Sequence, residues 1–470
     1  MSALFHVRDV VVWTGGRLVH GSPEIRLRGA SIDSRAVAAG ALFVAIRGPR
    51  HDAHAFLGQA AERGASALVV QRDFPLPPSL SAPERALAVI AVDDTTRALG
   101  AVGSGHRAGF RGPVVALTGS NGKTTTKEMC AAILSVGGPC LKTQGNLNNE
   151  FGVPLTLLQR EAEHRVLVIE IGMNHRGEIA PLAAIAKPSV GIITNVGTAH
   201  IENLGSQDEI AREKGELVAA LGPDATAVLN AADPRVLAQR ARTRARIMTF
   251  GDAGDVRAEH VTPLGSRGFA FDLVAPHGRV AVHVAGLGES SVMNALAAAA
   301  GALAAGATLS EVSSGLARYR PIGGRMEPVE LPRNIIVIND TYNANPQSME
   351  VALRSLAELK GGARGFAVLG DMGELGATSV TAHRATGRLV AELGIEYLFT
   401  LGQYAKETAG GALAAGMDAA RVRVATDHRD ASDRLREILH GDDWILVKGS
   451  RSMQMERVVD ALVQAQREAS

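Results

Sequence analysis

The run Val114–Thr126, VVALTGSNGKTTT, places glycine, lysine and hydroxyl residues at a spacing that could handle polyphosphate. Four apolar residues (Val114–Leu117) enter a turn containing Gly119 and Gly122, and Lys123, Thr124 and Thr125 follow at the start of a helix-compatible stretch. Such a turn lets bare backbone N–H groups wrap phosphate oxygens at a helix N-terminus. Lys123 would reach the outer phosphates, and the Thr124 hydroxyl would take Mg²⁺. The common phosphate loop has its first glycine where Leu117 stands, so this loop is shorter. The competing reading is an ordinary strand–turn–helix corner. A GKTTT run directly after an apolar strand favours the phosphate loop, and with it ATP or GTP.

Further polar groups stand at the ends of apolar runs. Glu170 follows Val166–Ile169, Asn195 and His200 follow Val190–Thr194, and Asp340 follows IIVIN. Asp371 follows Phe366–Leu369 and Lys448 follows Trp444–Val447. Ligands of open α/β sheets bind beyond the carboxyl ends of the strands, which is where these groups would lie. Singly, each could cap a helix or face water. Thr124, Glu170 and His200 together make a hard-metal set for Mg²⁺, in which histidine is the unusual member. Lys214, within EIAREKGELV, reads on its own as a solvated helix lysine.

These groups need a parallel α/β scaffold, and the chain supplies one. Strand-like runs at Ala41–Ile46, Ala67–Val70, Val166–Ile169, Val190–Thr194 and Ala227–Asn230 alternate with helical stretches. The same alternation resumes at Ile335–Ile338, Phe366–Leu369, Tyr397–Thr400 and Trp444–Val447. Gly286–Ala305 is alanine-rich and predicts a buried helix, and the Pro/Ser-rich stretch 75–83 predicts a loop. The expected organisation is α/β in three domains, 1–92, 93–322 and 323–470, as the length of 470 residues suggests.

Hydrophobic content of 46% against 21% charged residues indicates a globular protein with a large core. A net charge of +1 gives no global field for nucleic acid or an anionic membrane, and the run RTRAR at 242–246 reads as a solvated face. Two cysteines, Cys130 and Cys140, are too few for a disulfide scaffold and lack zinc spacing, which fits a reducing cytoplasm. No stretch is long and apolar enough to span a bilayer. Arg8 and Asp9 interrupt any signal-peptide core. A monomer is expected.

Taken together, these residues resemble the Mur ligase family along nearly the whole chain. DSR at Asp33–Arg35 and LFVAIRG at Leu42–Gly48 are similar to its N-terminal uridine-nucleotide domain. TGSNGKTTTKEM (118–129), GNLNNEFGVPLTLL (145–158) and EIGMNHRGEI (170–179) are similar to its central ATPase domain. GGRMEP, NDTYNANPQSM, LGDMGELG and VKGSRSMQME resemble its Rossmann-like C-terminal domain, and most closely that of the members that add D-alanyl-D-alanine to UDP-N-acetylmuramoyl-tripeptide.

The resemblance implies an ATP-dependent amide ligase working through an acyl phosphate in peptidoglycan synthesis. ATP would be held by Gly119, Asn121, Gly122, Lys123, Thr124, Thr125, Asn294, Arg325 and Asp340. Mg²⁺ would be held by Thr124, Glu170, His200 and a carbamylated Lys214. Substrate contacts fall on Asp33, Ser34, Arg35, Asn146, Asn149, Asn174, Asn343, Asn345, Lys448 and Ser450. Lys123, Lys214, His200 and Arg325 carry the catalytic roles. The family's histidine before the adenine-side asparagine is absent, Met293 standing there. Rival readings are a sister ligase adding the third amino acid, a folylpolyglutamate synthase, or a nucleotide-binding switch without ligation.

Overall fold

The computed structural model describes residues 4–48, 51–80, 86–199 and 201–468. Three parallel-type sheets follow one another along the chain. The first has five strands in the order 17–20, 88–92, 67–71, 42–44, 30–31, parallel except at the 17–20 edge. The second has six parallel strands in the order 246–250, 226–230, 190–193, 114–118, 166–170, 140–142. The third has six, in the order 327–331, 335–340, 444–448, 365–369, 397–400, 422–424, with only its first strand antiparallel. Apolar runs such as VVALT and VLVIE are buried along their whole length, as strands covered by helices on both faces must be.

Register places the chemistry. Glu170 pairs with Leu117, and Ile193 with Thr118, so three carboxyl ends stand level around the phosphate loop. In the third sheet Asp340 pairs directly with Lys448. The helix Ser290–Ala304 lies over the loop's own helix, Lys123–Leu134. Its alanines from Ala295 to Ala300 are buried, which permits the close packing that brings Asn294 onto Gly122.

The expected strands and the alanine-rich helix are present, with ends shifted by a few residues. The stretch 75–83 contains a short helical turn at Pro78–Leu80, and its last residues lie outside the described ones. Among the elements not anticipated is an antiparallel sheet of three strands, 257–263, 269–275 and 278–284. Its middle strand, FAFDLVA, alternates strictly between buried and half-buried positions, a period-two signal present in the sequence.

His106 gives the fold a pH dependence. It is buried on the helix Thr95–Ala108, with Nε2 3.3 Å from the Arg160 carbonyl and its ring 5.8 Å from that of Phe5. Burial first, then the Arg160 charge, pushes its pKa from 6.5 down to about 4. The unfolded chain therefore takes this proton before the folded one does. The stabilisation is complete above pH 6.5 and is lost as the pH falls through 4, by at most about 3 kcal/mol. Thermal midpoints from pH 7 to 4.5 should drop less in a folded His106→Gln variant than in the wild type. Parallel drops would remove His106 from this role.

Candidate active site

The loop Gly119–Gly122 is built around positions that exclude side chains. Gly122 has φ +77°, and a Cβ there would meet Asn294 Oδ1 at 2.2 Å. A Cβ on Gly119 would meet Thr194 Oγ1 at 1.8 Å. The loop is clamped from the neighbouring strand end. Asn195 Oδ1 accepts from Asn121 N–H (2.9 Å), while Asn195 Nδ2 (3.0 Å) and Thr194 Oγ1 (2.7 Å) donate to the Asn121 carbonyl. Lys123, half-buried, folds its Nζ back onto the Gly119 carbonyl at 2.7 Å. Burial lowers its pKa, the Glu170 charge opposes this, and Arg325 adds to it. A phosphate group in the loop would relieve this excess of positive charge.

Glu170 is buried, with Oε1 accepting from Asn148 Nδ2 at 2.8 Å. Its Oε2 has no hydrogen-bond partner, and the nearest cation, Lys127 Nζ, stands 3.9 Å away. A buried carboxylate oxygen left open beside a phosphate loop fits a hard cation such as Mg²⁺, and the buried Thr124 hydroxyl starts the helix facing the same space.

That space is a cavity of about 920 Å³, which gathers residues from the central and third sheets. The loop residues from Asn121 to Thr125, Glu170 and Asn294 line it. So do Arg325, Asp340, Lys448 and Ser450 from the third region, and Asn146, Asn149, Asn174, Asn343 and Asn345. Met293, where the family's histidine is absent, lines it too. Asn121 joins the halves directly: Asn345 Nδ2 donates to its Oδ1 at 3.0 Å, and its own Nδ2 donates to Gln347 Oε1 at 2.9 Å. Arg325 lies with its guanidinium carbon 3.9 Å from the centre of the Tyr342 ring. Asp340 accepts from Lys448 Nζ (2.5 Å) and from the Met326 N–H (3.1 Å). Lys448 also donates to the Asn343 carbonyl at 2.9 Å.

Lys214 is 1% exposed on the helix Gln207–Ala219, which overturns its reading as a solvated lysine. It has no hydrogen bond or ion pair among the described residues. Burial, followed by repulsion from Lys123, lowers its pKa well below the ordinary lysine value. His200 lies outside the described residues. Asp33, Ser34 and Arg35 are not among the cavity's lining residues. Asp33 and Arg35 form a two-pronged ion pair (2.8 and 2.9 Å) that holds the Asp33 pKa down to about 2, and Ser34 Oγ donates to Gln59 Oε1. Sequence reasoning missed Asn148, Thr194, Tyr342 and Gln347 as site groups, and noted Asn195 only as a strand end.

Three family models match the chain in order: "Mur ligase family, catalytic domain" over 26–107, "Mur ligase middle domain" over 117–302 and "Mur ligase, glutamate ligase domain" over 324–451. The UDP-N-acetylmuramoyl-tripeptide–D-alanyl-D-alanine ligase of Escherichia coli K12 is 38% identical over 449 residues, covering 93% of this chain and 94% of that protein. The chain belongs to the Mur ligase family. Among solved Mur ligases, MurF from Acinetobacter baumannii superposes with a TM-score of 0.88 at 34% identity, over 98% of this chain and 99% of that one. MurF from Thermotoga maritima in complex with ADP gives 0.82 at 26% identity, over 94% and 99%. This Mur ligase thus has the three-domain α/β architecture of those enzymes.

Proposed function

We propose that this Mur ligase joins D-alanyl-D-alanine to UDP-N-acetylmuramoyl-tripeptide at the expense of ATP, forming ADP and phosphate, in peptidoglycan synthesis. The observation that carries the chemistry is the single cavity in which Lys123, Glu170, Arg325 and Lys448 converge. The choice of substrates follows the relatives matched over nearly their full length.

The tripeptide's terminal carboxylate oxygen attacks the γ-phosphorus, and ADP leaves. The dipeptide amine then attacks the acyl carbon, phosphate departs with the bonding electrons, and the nitrogen gives up a proton. Phosphoryl transfer of this kind needs positioning and charge neutralisation above all. Lys123 and the loop amides hold the phosphates, and Arg325 neutralises charge on the group in transit. Asp340 uses two of its lone pairs on Lys448 and Met326 and keeps others for the ribose. Thr124 and Glu170 would hold Mg²⁺, which supplies charge neutralisation at the phosphates. A second ion falls to His200 and a carbamylated Lys214. Burial that keeps the Lys214 amine uncharged favours its attack on CO₂, releasing one proton and leaving a carboxylate-like group. Asn146, Asn149, Asn174, Asn343, Asn345 and Ser450 serve the peptide substrates, and Asp33, Ser34 and Arg35 the uridine nucleotide.

The three sheets support domains at 1–92, 93–322 and 323–470. One chain supplies all these cavity residues, which favours a monomer. The cysteine content supports the cytoplasm, and no helix among the described residues is long and apolar enough to cross a membrane. Phosphate release with UDP-N-acetylmuramoyl-tripeptide should require D-alanyl-D-alanine. Turnover indifferent to the dipeptide would favour a nucleotide switch instead.

The third domain has to part from the loop to admit ATP and close again to exclude water from the acyl phosphate. Small-angle scattering should show a smaller radius of gyration with a non-hydrolysable ATP analogue and the tripeptide substrate than without them. The change should shrink in Gln347→Ala, which removes one arm of the Asn121 contact. An identical radius in all samples would count against closure.

A further inference from the structure

Glu170 is fixed at two points. Its backbone N–H donates to Thr143 Oγ1 at 3.0 Å, its Oε1 is taken by Asn148 at 2.8 Å, and only Oε2 is open. Asn148 is itself held in place. Its carbonyl accepts from the Gly172 N–H at 2.8 Å, and its amide lies so close over Gly172 that a Cβ there would come within 2.8 Å of it. Lys127 stands 3.9 Å from the open oxygen, its Nζ being held closer to the Thr143 carbonyl at 2.7 Å and to Glu128 at 3.1 Å.

We propose that Asn148 is a specificity-determining residue: its hydrogen bond to Oε1 fixes the orientation of the Glu170 carboxylate and takes up one lone pair there, which disfavours two-oxygen coordination and so favours Mg²⁺ over Ca²⁺. Mg²⁺ accepts single carboxylate oxygens in a small octahedron. Ca²⁺ gathers six to eight oxygens and gains from two-oxygen carboxylates. This rests on the proposed ATP–Mg²⁺ reading of the site and adds the identity of the group that enforces the choice.

The test is Mn²⁺ binding followed by electron paramagnetic resonance, with a non-hydrolysable ATP analogue present and Mg²⁺ or Ca²⁺ as competitor. In wild type, Mg²⁺ should displace Mn²⁺ far better than Ca²⁺. Asn148→Ala should bind the nucleotide, hold Mn²⁺ about tenfold more weakly, and lose about tenfold of its Mg²⁺-over-Ca²⁺ preference. Asn148→Gln, which keeps an amide donor, should recover part of it. Unchanged competition in a folded Asn148→Ala overturns the proposal and leaves the ATP reading standing. Wild type that binds no Mn²⁺ with the nucleotide overturns both. Should the alanine variant fail to fold, a crystal structure of the wild type with Ca²⁺ and the analogue decides. Glu170 with one oxygen on the ion and Asn148 still on Oε1 supports the proposal, and a two-oxygen carboxylate with Asn148 displaced overturns it.

Discussion

Lys123→Ala is expected to lower ligation by about 10²–10³-fold or more, some 3–4 kcal/mol of transition-state stabilisation, with the fold unchanged. Lys123 is the cation that the loop itself carries, and among the described residues its hydrogen bonds go to the carbonyls of Gly119 and Ser120. Those bonds are local to a loop already clamped by Thr194 and Asn195, so their loss should leave the thermal midpoint nearly unaltered. Turnover with saturating substrates, beside circular dichroism and a melt, separates the outcomes. A folded variant with near-normal turnover would sink the phosphate-loop assignment.

Lys214→Ala should be comparably severe, for a different reason. The ammonium form would sit buried, without a hydrogen bond or ion pair among the described residues and repelled by Lys123. A carbamate would replace that positive charge with an oxygen ligand for a cation. Activity should fall by more than about a hundredfold, as for loss of other groups that stabilise charge in the transition state. Acetate or another short carboxylate, fitting the space vacated, should restore a fraction. Wild type equilibrated with ¹³CO₂ should show a carbamate carbon by NMR that is missing from the variant. Acidification protonates the amine and releases CO₂, so the signal should fade as pH is lowered. Full activity in Lys214→Ala, or no carbamate signal in active wild type, would defeat the idea.

The scaffold was legible because buried parallel strands announce themselves. VLVIE and WILVK are apolar runs that end in polar groups of the cavity, and VVALT leads into the loop that lines it. Lys214 was legible in part. Ile210, Ala211, Leu217 and Val218 form a buried helical stripe on which Lys214 falls, so its position foretold burial while its charge suggested water. The antiparallel sheet at 257–284 was hidden by short, mixed strands in a chain dominated by the parallel pattern. Asn148 could not be found from its surroundings in sequence, because its proposed role depends on a hydrogen bond from a loop to the end of the strand Val166–Glu170. The joining of Asn121 to Asn345 and Gln347 is likewise a product of how distant segments pack.

That joint is made of neutral amides alone. Ionic strength screens charges and leaves amide-to-amide hydrogen bonds nearly untouched. On the proposed reading the nucleotide would be recognised through Lys123 and Arg325, whose pull on phosphate would weaken as salt is added. The parting of the two halves at Asn121 and the capture of ATP therefore answer to different solution variables. A salt titration moves nucleotide affinity while leaving this contact between the halves where it was.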